Sequence, residues 1–318
     1  MAELVSEQKA GSGNAPARAR FAVVNGDDFG FSSGVNRAII EAHKRGILSS
    51  ASLMVTADAF DEAVQQAKEN RALAVGLHLV VVCGKSALPP SKIPHLVDNK
   101  GRFPRGPVMT GLLYQFSGAA RRELKNEIRA QLQKFLDTGL PLSHVDGHLH
   151  MHMHPVVFDT LMQLAPEFGI THVRLPREEV STALRIDNSN MMAKLVWGWI
   201  FGKLHNSGAR KLQRAGIGFS DRVYGLMASG GMTEEYVLEL IPQIIGRQVE
   251  IYFHPAMEIE GEPLNGPKGS GKAELSTLLS RKVREALAES GFQVATFNGT
   301  GIVAHQKAFS ATSPPAFP

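Results

Sequence analysis

A chain of 318 residues, 43% hydrophobic and 20% charged, has the composition of an ordinary globular protein and excludes a largely disordered one. Its net charge of +4 is too weak to imply nucleic acid, though it mildly favours anionic partners such as a membrane surface. The single cysteine, Cys83, excludes an intrachain disulfide and fits a reducing, cytoplasmic compartment.

Residues 1–20 are rich in Ala, Gly, Ser and Arg, hold no apolar signal-like run, and read as a disordered tail. The first predicted strand is the β-branched run 21–26, followed by an amphipathic helix over 34–45 that stops at Gly46. A strand at 50–56 and a helix at 58–70 with Asp58 as candidate cap come next. A strand at 72–79 leads into a Pro- and Gly-rich loop over 83–107, then a helix over 119–138. The rhythm continues with a strand at 141–148, a helix at 155–168 and a strand at 171–176. Residues 177–218 interrupt it and read as a helical insertion. A strand at 219–226, a helix at 233–245, a strand at 248–255, a helix at 273–290 and a strand at 292–297 complete one domain over 21–304, with a loose end at 305–318. No run reaches the roughly 18–20 apolar residues that span a bilayer. Repeated βα units predict an α/β fold with a parallel sheet, closed as a barrel or open and doubly wound. In either form the chemistry sits at the carboxyl ends of the strands.

Those ends carry acids, bases and a cation. The first strand ends in Asp27 and Asp28, the third at His78, and the 141–148 strand at His148. Arg174 lies on the 171–176 strand and His254 ends the 248–255 strand. Adjacent carboxylates repel, and a divalent cation relieves this by binding one and leaving the other as a base. One carboxylate and two imidazoles suit Zn²⁺, and with added waters Mg²⁺ or Mn²⁺, while leaving positions open for water and substrate. His144, His148, His150, His152 and His154 stand at even offsets and would share one face of an extended chain. They cannot all be ligands, because Pro155 and the next helix turn the chain away. Whether His148, His144 or a later histidine is the third ligand stays open.

The DDFG turn at 27–30, SASLM at 50–54, GLHL at 76–79, HVDGHLHMH at 144–152, VRLP at 173–176 and FHPA at 253–256 together resemble the YdjC-like carbohydrate deacetylases. The resemblance runs from about residue 21 to 300; the stretch 76–103, the run LPLSHVDGHLHMHMHP at 140–155 and the 177–218 insertion make it most similar, within the family, to the branch associated with hopanoid biosynthesis. It implies a distorted (β/α) TIM-like barrel, polysaccharide-deacetylase-like, and one divalent metal ion, Zn²⁺ or Mg²⁺. It also implies that Asp28, His78 and His148 hold the metal, that Asp27 is the base for the attacking water, that His254 protonates the leaving amine, and that Arg174 orients or tunes Asp27. Gly26 stands where the family more often has alanine.

The implied reaction is removal of the acetyl group from an N-acetylglucosamine-type sugar, carried on a hopanoid lipid or, in the alternative, on a soluble chitooligosaccharide. More remote alternatives are a metal phosphoesterase and a non-catalytic metal- or lipid-binding protein. Within the insertion, residues 191–204 (MMAKLVWGWIFGKL) place Trp197, Trp199 and Phe201 between Lys194 and Lys203. That is the composition of an interfacial segment, with lysines reaching for phosphate beside a substrate lip. The expected partners are an amino-sugar lipid and a peripheral membrane contact at the inner membrane. Self-association is left open.

Overall fold

Strands form where β-branched apolar runs lie between turns, and helices where apolar residues recur at helical spacing. The computed structural model of the protein describes residues 19–297. Its elements are β1 (Arg20–Phe29), α1 (Ser33–Arg45), β2 (Ser50–Leu53), α2 (Phe60–Glu69), β3 (Ala74–Leu79), α3 (Pro107–Phe116), α4 (Gly118–Leu136) and β4 (Val145–Gly147). They continue with α5 (Pro155–Phe168), α6 (Val180–Ile186), α7 (Met191–Ala215), β5 (Arg222–Tyr224), α8 (Glu234–Leu240), β6 (Gln248–Phe253), α9 (Ser270–Leu279), α10 (Arg281–Glu289) and β7 (Phe292–Ala295).

The strands form one parallel sheet in the order β4–β3–β2–β1–β6–β5. β1 pairs with β6 along one edge and shares the other between β7, at Arg20–Val23, and β2, from Asn25 onward. Helices cover such a sheet, so its central strands read as continuous apolar runs. The last eight residues of β1 are all buried. Gly76 lets β3 lie close to β4, since a Cβ there would stand 2.3 Å from Nδ1 of His144 and 2.5 Å from its carbonyl oxygen.

Beyond β4 the sheet continues only as isolated bridges, from Val145 to Val173 and from His172 to Gly218. Arg177 bridges Val223 of β5 at the far edge. The two edges approach each other through this segment, so the sheet is curled. The α/β class with a parallel sheet is therefore present, while residues 171–176, expected as a strand, contribute bridges alone.

Several boundaries differ from expectation for local reasons. Arg20 belongs to β1, not to a tail; residues 1–18 and 298–318 lie outside the described residues, and with them the rest of both expected tails. Asp58 does not cap α2, whose N-cap is Ala59, and pairs with Lys85 instead. The helix expected over 273–290 is two helices, because the Ser280 side chain accepts the Val283 N–H and starts α10 afresh. His148–Met153 is a tight 3₁₀ segment rather than the end of a strand, with Leu149 and His150 in the left-handed region at φ 50° and 53°. The insertion is helical as expected, formed by α6 and α7.

Candidate functional site

Consecutive residues of a regular strand point to opposite faces. Asp27 and Asp28 nevertheless line one cavity of about 400 Å³, together with His78, His148 and His254. The pairing of β1 with β2 slips between Gly26 and Phe29, and Asp28 takes a left-handed φ of 65°. A bulge of this kind re-aims a side chain, and aspartate tolerates the backbone it requires.

Asp28 Oδ1 lies 3.3 Å from His78 Nε2 and 3.1 Å from His148 Nδ1. Donor atoms of these three residues lie within 4.8 Å of one another. The His78 Nδ1 atom is 2.8 Å from Asp146, a carboxylate that can hold the ring proton there and leave Nε2 free to face Asp28. A carboxylate oxygen and two imidazole nitrogens this close repel through their lone pairs unless a proton or a cation lies between them. Without a cation, burial alone would raise Asp28, but His148 and His78 override it and hold the carboxyl well below its usual range. Burial would lower His78, but Asp146 and Asp28 outweigh it and push it to about 10. One carboxylate and two imidazoles fit a divalent ion such as zinc, which replaces the protons these groups otherwise retain.

Behind this trio lies a charge cluster centred on Arg174, which is fully buried. Its guanidinium donates in a fork to both oxygens of Asp27, each at 2.7 Å. It also reaches Asp146 at 2.8 Å and Glu250 at 2.7 Å. Asn25 donates to Asp27 Oδ1 and to Ser52 Oγ, both at 2.8 Å, and Ser52 donates to Asp146 at 2.7 Å. Asp27 is thus held from behind, while its Oδ2 faces His254 Nε2 at 4.0 Å. The backbone N–H of His254 is tied to the buried carboxylate of Glu274.

The structure therefore brings Asp27, Asp28, His78, His148, Arg174 and His254 to one place. Of the other histidines of the 144–154 run, His150 also lines the cavity, but none belongs to the trio. His144 is buried between strands on Ser52 and Ser143 and is not one of the trio. His150 bonds the Tyr252 hydroxyl and His152 the Arg174 carbonyl oxygen. Burial holds His144 and His152 at about 4, so both are neutral imidazoles at neutral pH. The tight turn after Gly147, not a shared strand face, sorts these side chains.

Sequence reading missed Asp146, Glu250, Asn25 and Ser52. Asp146 had a signal, a carboxylate two residues before His148; Glu250 had another, one charge inside the apolar run of β6.

The insertion needs a partial correction. Lys194 is buried and paired with Asp187 at 2.6 Å, so it does not reach outward for phosphate. Phe201 is buried against His150, and with Trp197 it lines the cavity. Trp199 is 63% exposed, with the Lys203 ammonium 4.0 Å above its ring. A second apolar surface was not anticipated: α3 carries no charge and exposes Val108, Met109, Leu112 and Phe116.

The family described as YdjC-like protein matches residues 22–289. A carbohydrate deacetylase of Brevibacillus brevis is 32% identical over 282 residues, covering 88% of this chain and 99% of the relative. A chitooligosaccharide deacetylase of Salmonella agona is 29% identical over 288 residues, covering 87% and 98%. A solved structure from Enterococcus faecalis V583, described as a proposed cellobiose-phosphate cleavage protein, shares the fold at TM-score 0.68 and 24% identity, over 89% of this chain and 100% of that one.

Glu250 makes the charge cluster sensitive to pH. Burial pushes its carboxyl from 4.5 up to about 7; Arg174 pulls against this, and Asp146 and Asp27 add to it. A pKa raised on folding stabilises the fold below the unfolded value, and that contribution is lost as pH rises through the folded one. Glu250→Gln cannot titrate. Its stability relative to the wild type should rise between about pH 5 and pH 8 by on the order of 2 kcal/mol, since a tenfold change in proton affinity is worth about 1.4 kcal/mol. Denaturant midpoints of both proteins across that range check this; a constant gap would mean Glu250 does not titrate there.

Proposed function

The chain belongs to the YdjC-like protein family, and on that premise we propose that it is a metal-dependent deacetylase that hydrolyses the N-acetyl group of an N-acetylglucosamine-type sugar. The observation that carries this reading is the convergence of Asp28, His78 and His148 beside an arginine-clamped Asp27 in one cavity. The carbohydrate deacetylase relatives, aligned over nearly their whole length, support the hydrolase class.

In this proposal Asp28, His78 and His148 hold one divalent ion, zinc or magnesium, which when bound polarises the acetyl carbonyl and acidifies water. Asp27 accepts a proton from the attacking water at Oδ2, the oxygen turned toward His254. Arg174 and Asn25 fix the carboxylate so that little reorganisation is needed. As the C–N bond breaks, His254 gives a proton to the leaving nitrogen, and acetate and the free amino sugar result. Asp27→Asn keeps the shape and removes the base, so acetate release should fall by about 10²–10⁴. Unchanged turnover in that variant would remove Asp27 from the role of base.

The proposed acceptor of the sugar is a lipid of hopanoid type, with the protein peripheral on the cytoplasmic side of a membrane. Support comes from the exposed apolar residues of α3 and α7 and from Trp197 in the cavity wall. Among the described residues, no helix is long and apolar enough to cross a membrane. Burying exposed apolar side chains at about 25 cal/mol per Å² would give a few kcal/mol of attachment. Soluble chitooligosaccharides are the second reading, favoured by the names of the Salmonella relatives. Phe201 is part of the cavity, so the separating variant should combine Met109→Ser, Phe116→Ser and Trp199→Ser, all well exposed. Liposome binding and turnover of a lipid-linked substrate should weaken, with soluble-sugar turnover retained. Equal loss of both activities would contradict a membrane-facing lip.

A further inference from the structure

A histidine that gives up a proton is ordinarily oriented by a hydrogen bond on its second ring nitrogen. His254 has no such orienter. Among the described residues neither of its ring nitrogens makes a hydrogen bond: Nε2 faces Asp27 at 4.0 Å, and only the backbone N–H is tied, to Glu274. The ring is also 22% exposed, so burial alone does not fix its direction. What it meets is Tyr252, two residues earlier in β6, edge to face with centroids 5.7 Å apart and planes at 84°.

Tyr252 is itself held from three directions. Its hydroxyl lies 2.9 Å from His150 Nε2. The Arg174 guanidinium stands 4.7 Å from the centre of its ring. Gly225 passes close by with a φ of 120°, and a Cβ there would come within 3.1 Å of Tyr252 Cε1 and 2.7 Å of its carbonyl oxygen. Only glycine combines that backbone with that approach. His150 reaches the hydroxyl from left-handed backbone at φ 53°, and Phe201 packs on its ring at 5.7 Å. Such backbone at a residue other than glycine persists only where the surroundings over-determine it, and it collects at functional sites. Two unusual backbone positions thus converge on one phenol. Burial, with Asp27 adding to it, pushes that phenol well above its usual range, so it stays neutral and exchanges no proton with His254. Toward His254 it acts by packing.

We propose that Tyr252 is the positioning residue for His254: its ring sets the direction of the imidazole, and His150 and Arg174 set the direction of the ring. The inference rests on the deacetylase reading for the role of His254 as proton donor to the leaving nitrogen. It gives a task to His150, which lines the cavity without joining the trio. Through Tyr252, His150 links the turn that follows His148 to the proton donor.

The test compares two substrates in the wild type, His254→Ala, Tyr252→Phe and Tyr252→Leu. N-acetylglucosamine releases an amine, which must be protonated as the C–N bond breaks. 4-Nitrophenyl acetate releases a nitrophenolate, which leaves without a proton. His254→Ala sets the reference, a large loss on the amide and a small one on the ester. Tyr252→Phe keeps the ring and cuts only the link to His150. It should lower kcat on the amide by about tenfold, part of the roughly 10²–10⁴ that proton donation contributes, with KM and the ester rate changing far less. Tyr252→Leu removes the ring and should lose more, with the same selectivity. Equal losses on amide and ester, or a Tyr252→Phe that matches the wild type, overturn the proposal and leave the deacetylase reading standing. Should Tyr252→Leu fail to fold, Tyr252→Phe decides by the same criterion. If the wild type does not hydrolyse the amide, the deacetylase reading fails, and crystal structures decide the positioning separately. One orientation of the His254 ring in the wild type and a changed or mixed one in Tyr252→Phe supports it; the same orientation in both overturns it.

Discussion

A guanidinium buried among three carboxylates holds the mouth of this sheet together. Taking a charge out of water costs several kcal/mol, and removing one partner of a buried pair leaves the others uncompensated. Arg174 meets that cost by facing Asp27, Asp146 and Glu250 at once. These come from β1, β4 and β6, so the ion cluster ties β4, at one end of the sheet order, to the neighbouring strands β1 and β6. Each carboxylate then has a second task. Asp146 orients His78, Asp27 faces His254 across the cavity, and Glu250, with one oxygen unpartnered, sets the pH sensitivity of the cluster.

Asp28 depends on that arrangement without touching Arg174. The bulge at the end of β1 places it in front of the cluster, where two imidazoles face its Oδ1 and the Asn265 amide reaches its Oδ2 at 3.5 Å. Two adjacent aspartates thus acquire different surroundings, one clamped by a cation of the protein and the other turned toward His78 and His148. Pairs of acids separated in this way can take separate chemical roles. The insertion adds the outer walls: Trp197 and Phe201 line the cavity at the strand ends, and α7, like α3, leaves apolar side chains exposed.

Much of this was legible in the sequence because parallel strands buried on both faces leave long β-branched runs. The ends of those runs locate Asp27, Asp28, His78 and His254 directly. The histidine-rich stretch was less legible. Even spacing suggests one strand face, but the chain turns at Leu149 and His150, and only tertiary packing selects left-handed backbone at non-glycine residues. Asp146 and Glu250 matter through Arg174, which lies 28 and 76 residues away, and no local pattern encodes such partners. Lys194 misled for the same reason. Its partner Asp187 lies outside the segment that looked interfacial, and that pairing turns the lysine inward. The apolar exposure of α3 was missed because residues 108–118, between the loop read over 83–107 and the helix read over 119–138, carried no assignment.

In the proposed mechanism Asp28, His78 and His148 form the ion-binding set, while the nearby His144 only supports β4. Metal content of purified protein after zinc loading and gel filtration tests this most directly. About one ion per chain is expected in the wild type and in His144→Gln, with loss of that ion in His78→Ala and His148→Ala. Full occupancy in both alanine variants, or loss confined to His144→Gln, would contradict it.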